Sequence, residues 1–279
     1  MNKVKALTYK YPVIFSILVI IFSALITEIP LTPFFSRYMD IRKANFLAII
    51  LVQGTCAVIL TVVIKAIGIF KTAGFTKPKQ VWLGWPLVVM GLLSGTELFS
   101  GELVFNTSDP IDFILFVLVA ISVGFIEEIM ARSLILNIML RKWGHTKKGI
   151  YLATIISSAL FGLSHLTTVA VGRRELVAGL IQAVMTTFFG AIFAACFLRN
   201  NSVWPVILLH AFVDLFATAH DLTERFGEVH ADPTIQSAIV TLIVTLPLFI
   251  YSMFIIRKVK PKVESQSDAV NRGGRALTN

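Results

Sequence analysis

The sequence predicts an all-α, polytopic integral membrane bundle of about eight transmembrane helices, with both termini on the cytoplasmic side. Three observations carry that prediction. Of 279 residues, 56% are hydrophobic and only 15% charged, and the mean hydropathy is +0.80, whereas a soluble domain carries about a quarter charged residues. The apolar residues gather into eight stretches of the length a bilayer core requires, roughly 20 residues per helix. The cations between those stretches alternate in density, as cytoplasmic and external loops do.

The first stretch, 11–29, follows Lys3, Lys5 and Lys10. It is long for a signal-peptide core, and Glu28-Ile29-Pro30 makes a poor small-residue cleavage site, so it reads as a retained span. Spans at 45–70 and 81–99 come next. The fourth, 111–140, would be about 45 Å long at 1.5 Å per residue, so it tilts or projects from the membrane. The fifth and sixth cover 150–170 and 176–198. The seventh, 202–219, is short and opens on Trp204-Pro205, where proline suits a first helical turn. The eighth covers 235–256. Residues 1–262 form a single transmembrane domain, and the Ser-, Asn-, Gly- and Arg-bearing stretch 263–279 reads as a disordered basic cytoplasmic tail.

The topology follows from the loops. The inner set holds Lys71, Lys77, Lys79, Arg141, Lys142, Lys147, Lys148, Arg199 and the basic tail, besides the three N-terminal lysines. The outer set holds only Arg37, Arg42, Lys43, Arg173, Arg174 and Arg225. A net charge of +9 distributed this way is membrane topology, not a nucleic-acid groove, so no nucleic-acid partner is expected. Short basic loops without an organelle signal point to a bacterial plasma membrane. Asn106-Thr107-Ser108 is formally a glycosylation acceptor, meaningful only in a eukaryote. Cys56 and Cys196 both lie within apolar spans and form neither a disulfide framework nor a metal-ligand spacing.

Against that background, Glu127 and Glu128 in the middle of the fourth span are conspicuous. A carboxylate at the bilayer centre costs roughly 2.5–3.5 kcal/mol on insertion scales, so it must be paired or used. On a helix, Glu128 and Arg132 are i,i+4 neighbours in the favourable order. Glu127 points about 100° away and is left to face a cavity. In the fifth span, Phe161 and His165 share a face one turn apart; in the seventh, His210 and Asp214 do the same. Counted from the cytoplasmic ends, Glu128 lies 13 residues from Arg141, His165 16 from Gly149 and His210 9 from Asn201. At 1.5 Å per residue these depths agree within roughly 10 Å, and polar groups at one depth in lipid must meet each other or water.

Glutamate and histidine around a wet cavity can deprotonate water and later protonate an amine, as amide hydrolysis requires. A second histidine beside a polar side chain can stabilise the oxyanion. Glu127, His165 and His210 can equally hold a divalent metal such as zinc, since two histidines and a carboxylate are a common hydrolytic set. The residues leave both open. There is no His-Glu-x-x-His, and Gly162-Leu163-Ser164-His165 lacks the final glycine of a rhomboid-type nucleophile motif. Without catalysis, the same features would suit a membrane immunity or peptide-binding protein. A proton-coupled transporter also buries carboxylates, but no inverted pair of broken helices is visible.

Glu127-Glu128-x-x-x-Arg132, Phe161-x-x-x-His165 and His210-x-x-x-Asp214 resemble, in order, the motifs of the CPBP family. These are the CAAX proteases and bacteriocin-processing or immunity (Abi) proteins, typically eight-helix intramembrane endopeptidases carrying a metalloprotease label. The resemblance covers about 111–219, which would be the catalytic half. It implies that Glu127 and His165 activate water, that Glu128 and Arg132 support the site, and that His210 stabilises the oxyanion with its i+4 partner. In eukaryotic prenyl-protein enzymes that partner is often Asn. A carboxylate cannot donate a hydrogen bond unless protonated, so Asp214 is expected instead to orient His210 or bind a metal. The implied partners are the lipid bilayer and a peptide or membrane-protein substrate.

Overall fold

The computed structural model describes residues 3–99, 109–223, 226 and 235–261. The Asn106 acceptor and the 263–279 tail lie outside the described residues. Within them the chain is helical, without a β-strand. In order come α1 (Lys3–Lys10), α2 (Pro12–Thr27), α3 (Thr32–Phe35), α4 (Ile41–Ala66) and α5 (Trp85–Ser94). There follow α6 (Pro110–Glu128), a π-helical segment (Ile129–Leu136), α7 (Asn137–Trp143), α8 (Lys147–Ser164) and α9 (Thr167–Ala170). The last are α10 (Leu176–Asn200), α11 (Trp204–Ala217) and α12 (Ile235–Ile256).

Six of the helical stretches are long and apolar enough to cross a membrane: Pro12–Phe35, Ile41–Ala66, Pro110–Trp143, Lys147–Ala170, Leu176–Asn200 and Gln236–Ile256. The third and seventh predicted spans correspond to the shorter apolar helices Val81–Ser94 and Trp204–Ala217. The sequence punctuates these elements as capping chemistry requires. Asp40 accepts the Arg42 amide at the start of α4, Asp109 that of Ile111 before α6, and Thr146 that of Gly149 before α8. Proline stands in the first turn of α2, α5, α6 and α11.

Span boundaries shift by a few residues, and one shift moves charges into a helix. The second span begins at Ile41 rather than 45, so Arg42 and Lys43 are helical, not loop, residues. They are accommodated there by ion pairs. Arg42 lies 3.6 Å from Asp112 and donates to the Thr223 carbonyl at 2.7 Å, while Lys43 bonds Asp109.

The bundle is organised around α10, which packs along α8 and α12, and around α6, which lies between α4 and α11. Its buried interior is one large cluster that includes Leu60, Ile64, Leu134, Ile138, Ile192 and Phe193. Many large apolar side chains face outward instead, such as Ile14, Val58, Phe113, Leu180, Leu208 and Ile243. That is the pattern of a protein whose surroundings are lipid. At one end, Lys142 donates to the Lys10 carbonyl and Lys147 to that of Arg257. At the other, Arg173 pairs with Glu28. The loops thus segregate as their charges do.

Candidate active site

The fourth span carries the first components. α6 ends at Glu128, and the eight residues after it continue as a π-helix, all of them buried. The wider turn retains the contact expected of α-helical spacing: Arg132 Nη1 lies 3.0 Å from Glu128 Oε1, with side-chain exposures of 2% and 0%. Arg132 is enclosed by groups from the neighbouring helices. Its Nη2 donates to the Gly190 carbonyl of α10 at 3.1 Å, and its guanidinium sits 4.6 and 5.2 Å from the ring centres of Phe161 and Phe193. A desolvated guanidinium between aromatic faces gains about 2 kcal/mol or more. A buried cation without such partners would not persist.

Glu128 also reaches across the bundle. Its Oε1 lies 2.8 Å from His210 Nδ1 on α11. An oxygen already facing Arg132 accepts, so Nδ1 carries the proton and Nε2 is the nitrogen left for chemistry. The imidazole is further fixed by stacking on Phe193, with centroids 4.8 Å apart and planes 12° from parallel, and by the edge of Phe161 at 6.2 Å. Nε2 faces Glu127 Oε2 at 3.5 Å and Asp214 Oδ2 at 3.7 Å.

Asp214 stands beside His210 at ion-pair distance, on the Nε2 side of the ring. At 3.7 Å it makes no hydrogen bond to the ring, and its Oδ2 is buried without a hydrogen-bond partner. Glu128 occupies the ring nitrogen that an orienting carboxylate would use. Glu128 is also more than the partner of Arg132, since it links Arg132 to His210.

His165 closes α8. Its Nδ1 lies 3.0 Å from the Phe161 carbonyl, which only accepts, so its proton is on Nδ1 and its Nε2 is bare when the ring is neutral. No hydrogen bond joins it to Glu127 or His210 among the described residues. It nevertheless lines the same cavity, of about 420 Å³, as Glu127, Phe161, Phe193, His210 and Asp214, with α5, α10 and α12 supplying the remaining wall. Glu127, with 26% of its side chain exposed, opens onto that space.

The zinc reading of Glu127, His165 and His210 does not fit this arrangement. Among the described residues no three His, Cys, Asp or Glu side chains stand together as metal ligands. Glu127 and His210 approach each other, but His165 adds no third contact. The side chains available are carboxylates and two imidazoles whose Nδ1 positions each face an acceptor.

The sequence motifs did not single out Gly190 or Phe193, both essential to this geometry. Phe193 is one of twenty-two phenylalanines, and nothing in its local pattern separates it from packing. Gly190 is a close-approach position: a Cβ there would lie 3.2 Å from Phe161 and from the Ser158 backbone.

Fold and site together define a polytopic helical membrane protein with a carboxylate–imidazole cluster buried between its spans. Residues 109–216 match the family model described as type II CAAX prenyl endopeptidase Rce1-like. The match includes all seven motif side chains, spans less than half of the chain, and supports a place in the CAAX protease (CPBP) family. No curated protein and no solved structure matches it.

Proposed function

We propose that this protein is an intramembrane endopeptidase that hydrolyses a peptide bond of a membrane-associated substrate with water activated by Glu127 and His165. The observation that carries the reading is that Glu127, His165, His210 and Asp214 converge on one cavity inside a membrane bundle. The neighbouring Glu128 is simultaneously tied to Arg132 and His210.

In this scheme water sits against Glu127, whose carboxylate has no hydrogen bond among the described residues to compete. Glu127 takes one proton as the hydroxide oxygen bonds to the carbonyl carbon, with the bare Nε2 of His165 as a second acceptor. The carbonyl π-bond becomes an oxyanion. His210, protonated on both nitrogens and held through Nδ1 by Glu128, donates Nε2–H to it. Collapse restores the carbonyl, breaks the C–N bond and returns the proton from Glu127 to the leaving amine. Asp214, 3.7 Å from Nε2, places a second carboxylate beside the same nitrogen.

The test is a prenylated CAAX peptide incubated with the purified full chain and with Glu127→Gln. Loss of about 10²–10⁴-fold in cleavage rate, at an unchanged melting temperature, is expected for removal of a general base. Equal rates in the two proteins would refute the assignment. A Glu127→Gln protein that still performs the cellular role would instead favour the non-catalytic peptide-binding reading.

A further inference from the structure

The cavity has further polar lining that the proposed chemistry does not use. Gln182 on α10 lines it, together with Thr186 of the same helix, Thr241 and Thr245 of α12 and Ser94 of α5. Gln182 Oε1 is buried and has no hydrogen-bond partner among the described residues. A buried acceptor left unmatched costs about 1–3 kcal/mol, so a donor brought to this oxygen is favoured. The hydroxyls that line the cavity with it have already directed their protons into their own helices. Thr186 donates to the Gln182 carbonyl at 2.7 Å, Thr241 to that of Ser237 at 2.9 Å, Thr245 to that of Thr241 at 2.8 Å, and Ser94 to that of Met90 at 2.9 Å. Each therefore presents only oxygen lone pairs to the cavity.

This lining is rich in acceptors and poor in donors. No Lys or Arg is among the described residues lining the cavity, whereas Glu127 and Asp214 are. A substrate carboxylate finds no Lys or Arg there, but a main-chain N–H finds an acceptor.

We propose that Gln182 is a substrate-binding residue whose side-chain oxygen accepts a backbone N–H of the bound peptide, in register with the bond presented to Glu127. The inference rests on the endopeptidase reading for what the cavity holds. It adds that the substrate is gripped by its main chain, so side-chain sequence at that position is read weakly.

The experiment measures binding by fluorescence anisotropy, so that it does not depend on turnover. A prenylated CAAX peptide is prepared with each backbone amide N-methylated in turn, and each version is titrated into the full chain and into Gln182→Met. In the wild type, N-methylation at one position should weaken binding about tenfold, the loss expected for one unmatched buried acceptor. In Gln182→Met the unmodified peptide should bind about tenfold more weakly, and methylation at that position should have no further effect. A merely structural glutamine would lower the melting temperature without abolishing a position-specific penalty. Equal penalties in both proteins, or no penalty at any position, would overturn the proposal. The wild-type scan alone can deliver the second result if the variant does not fold. Gln182-dependent binding without cleavage would sink the protease reading and keep this contact; cleavage independent of Gln182 would do the reverse.

Discussion

Glu127 and Glu128 share a side chain and a neighbourhood but not an environment. Glu128 is fully buried between Arg132 and His210, while Glu127 is a quarter exposed to the cavity. The pairing of Arg132 with Glu128 was legible in sequence because i,i+4 spacing assigned Arg132 to one carboxylate and denied it to the other. The link from Glu128 to His210 was not, since 82 positions separate them and only packing of α6 against α11 joins them. Asp214, four residues from His210, lies 3.7 Å from the other ring nitrogen. Arg132→Ala tests the pairing. It leaves Glu128 with a buried charge facing only His210, and breaking a buried pair in this way costs about 3–5 kcal/mol. The variant should accumulate poorly and melt at lower temperature. Arg132→Lys should recover little, because an ammonium cannot reach Glu128 and Gly190 together while filling the space between Phe161 and Phe193. Normal accumulation of either variant would remove Arg132 from its supporting role.

Among the elements, apolar length was readable and helix geometry was not. Every predicted span contains an apolar helix, because lipid imposes a length that composition reports directly. The π-helical turn at Ile129–Leu136 left no mark. All eight of its residues are buried, so no polar face records whether the period is 3.6 or wider. Placing that segment directly after Glu127 and Glu128 matches the tendency of π-helical turns to occur at functional sites. The contact between α6 and α11 depends equally on a residue that sequence inspection passes over. A Cβ on Gly124 would lie 2.9 Å from the Ile207 carbonyl oxygen and 3.1 Å from the Ala211 amide, whereas one on Gly54 of α4 would meet nothing within 4 Å. Both glycines are helical, so Gly→Ala should by propensity alone gain up to about 1 kcal/mol at each. Gly54→Ala should show that gain as a higher melting temperature with activity retained. Gly124→Ala should instead lose about 1–3 kcal/mol through overpacking. It should also reduce cleavage, since the displaced helix carries His210. Equal responses at the two sites would mean that the α6–α11 spacing does not set the geometry of the site.

At the scale of the molecule, orientation decides which compartment lies beyond each end of the spans and which face of the site a substrate approaches. Charge counting alone puts 71–80 and 141–149 inside and 171–175 outside. The fold sorts the loops into the same two groups: α1, the turn before α8 and the chain after α12 are joined by Lys142 and Lys147. The loop after α9 meets the end of α2 through Arg173 and Glu28. Segregation alone does not say which group faces the cytoplasm; the density of unopposed lysines does. The native cysteines make a direct measurement clean, because Cys56 and Cys196 are buried, at 0% and 1% exposure, and should be silent to a membrane-impermeant maleimide. Introduced one at a time, Arg173→Cys should be labelled on intact cells. Lys77→Cys, exposed in the turn between α4 and α5, should be labelled only after permeabilisation. Arg173 pairs with Glu28 at an exposed site, where such a bridge is worth at most about 1 kcal/mol, so its replacement should leave the fold intact. Labelling of Lys77→Cys in intact cells, with protection of Arg173→Cys, would invert the topology. The site would keep its geometry, but its substrate would then be sought on the opposite side of the membrane.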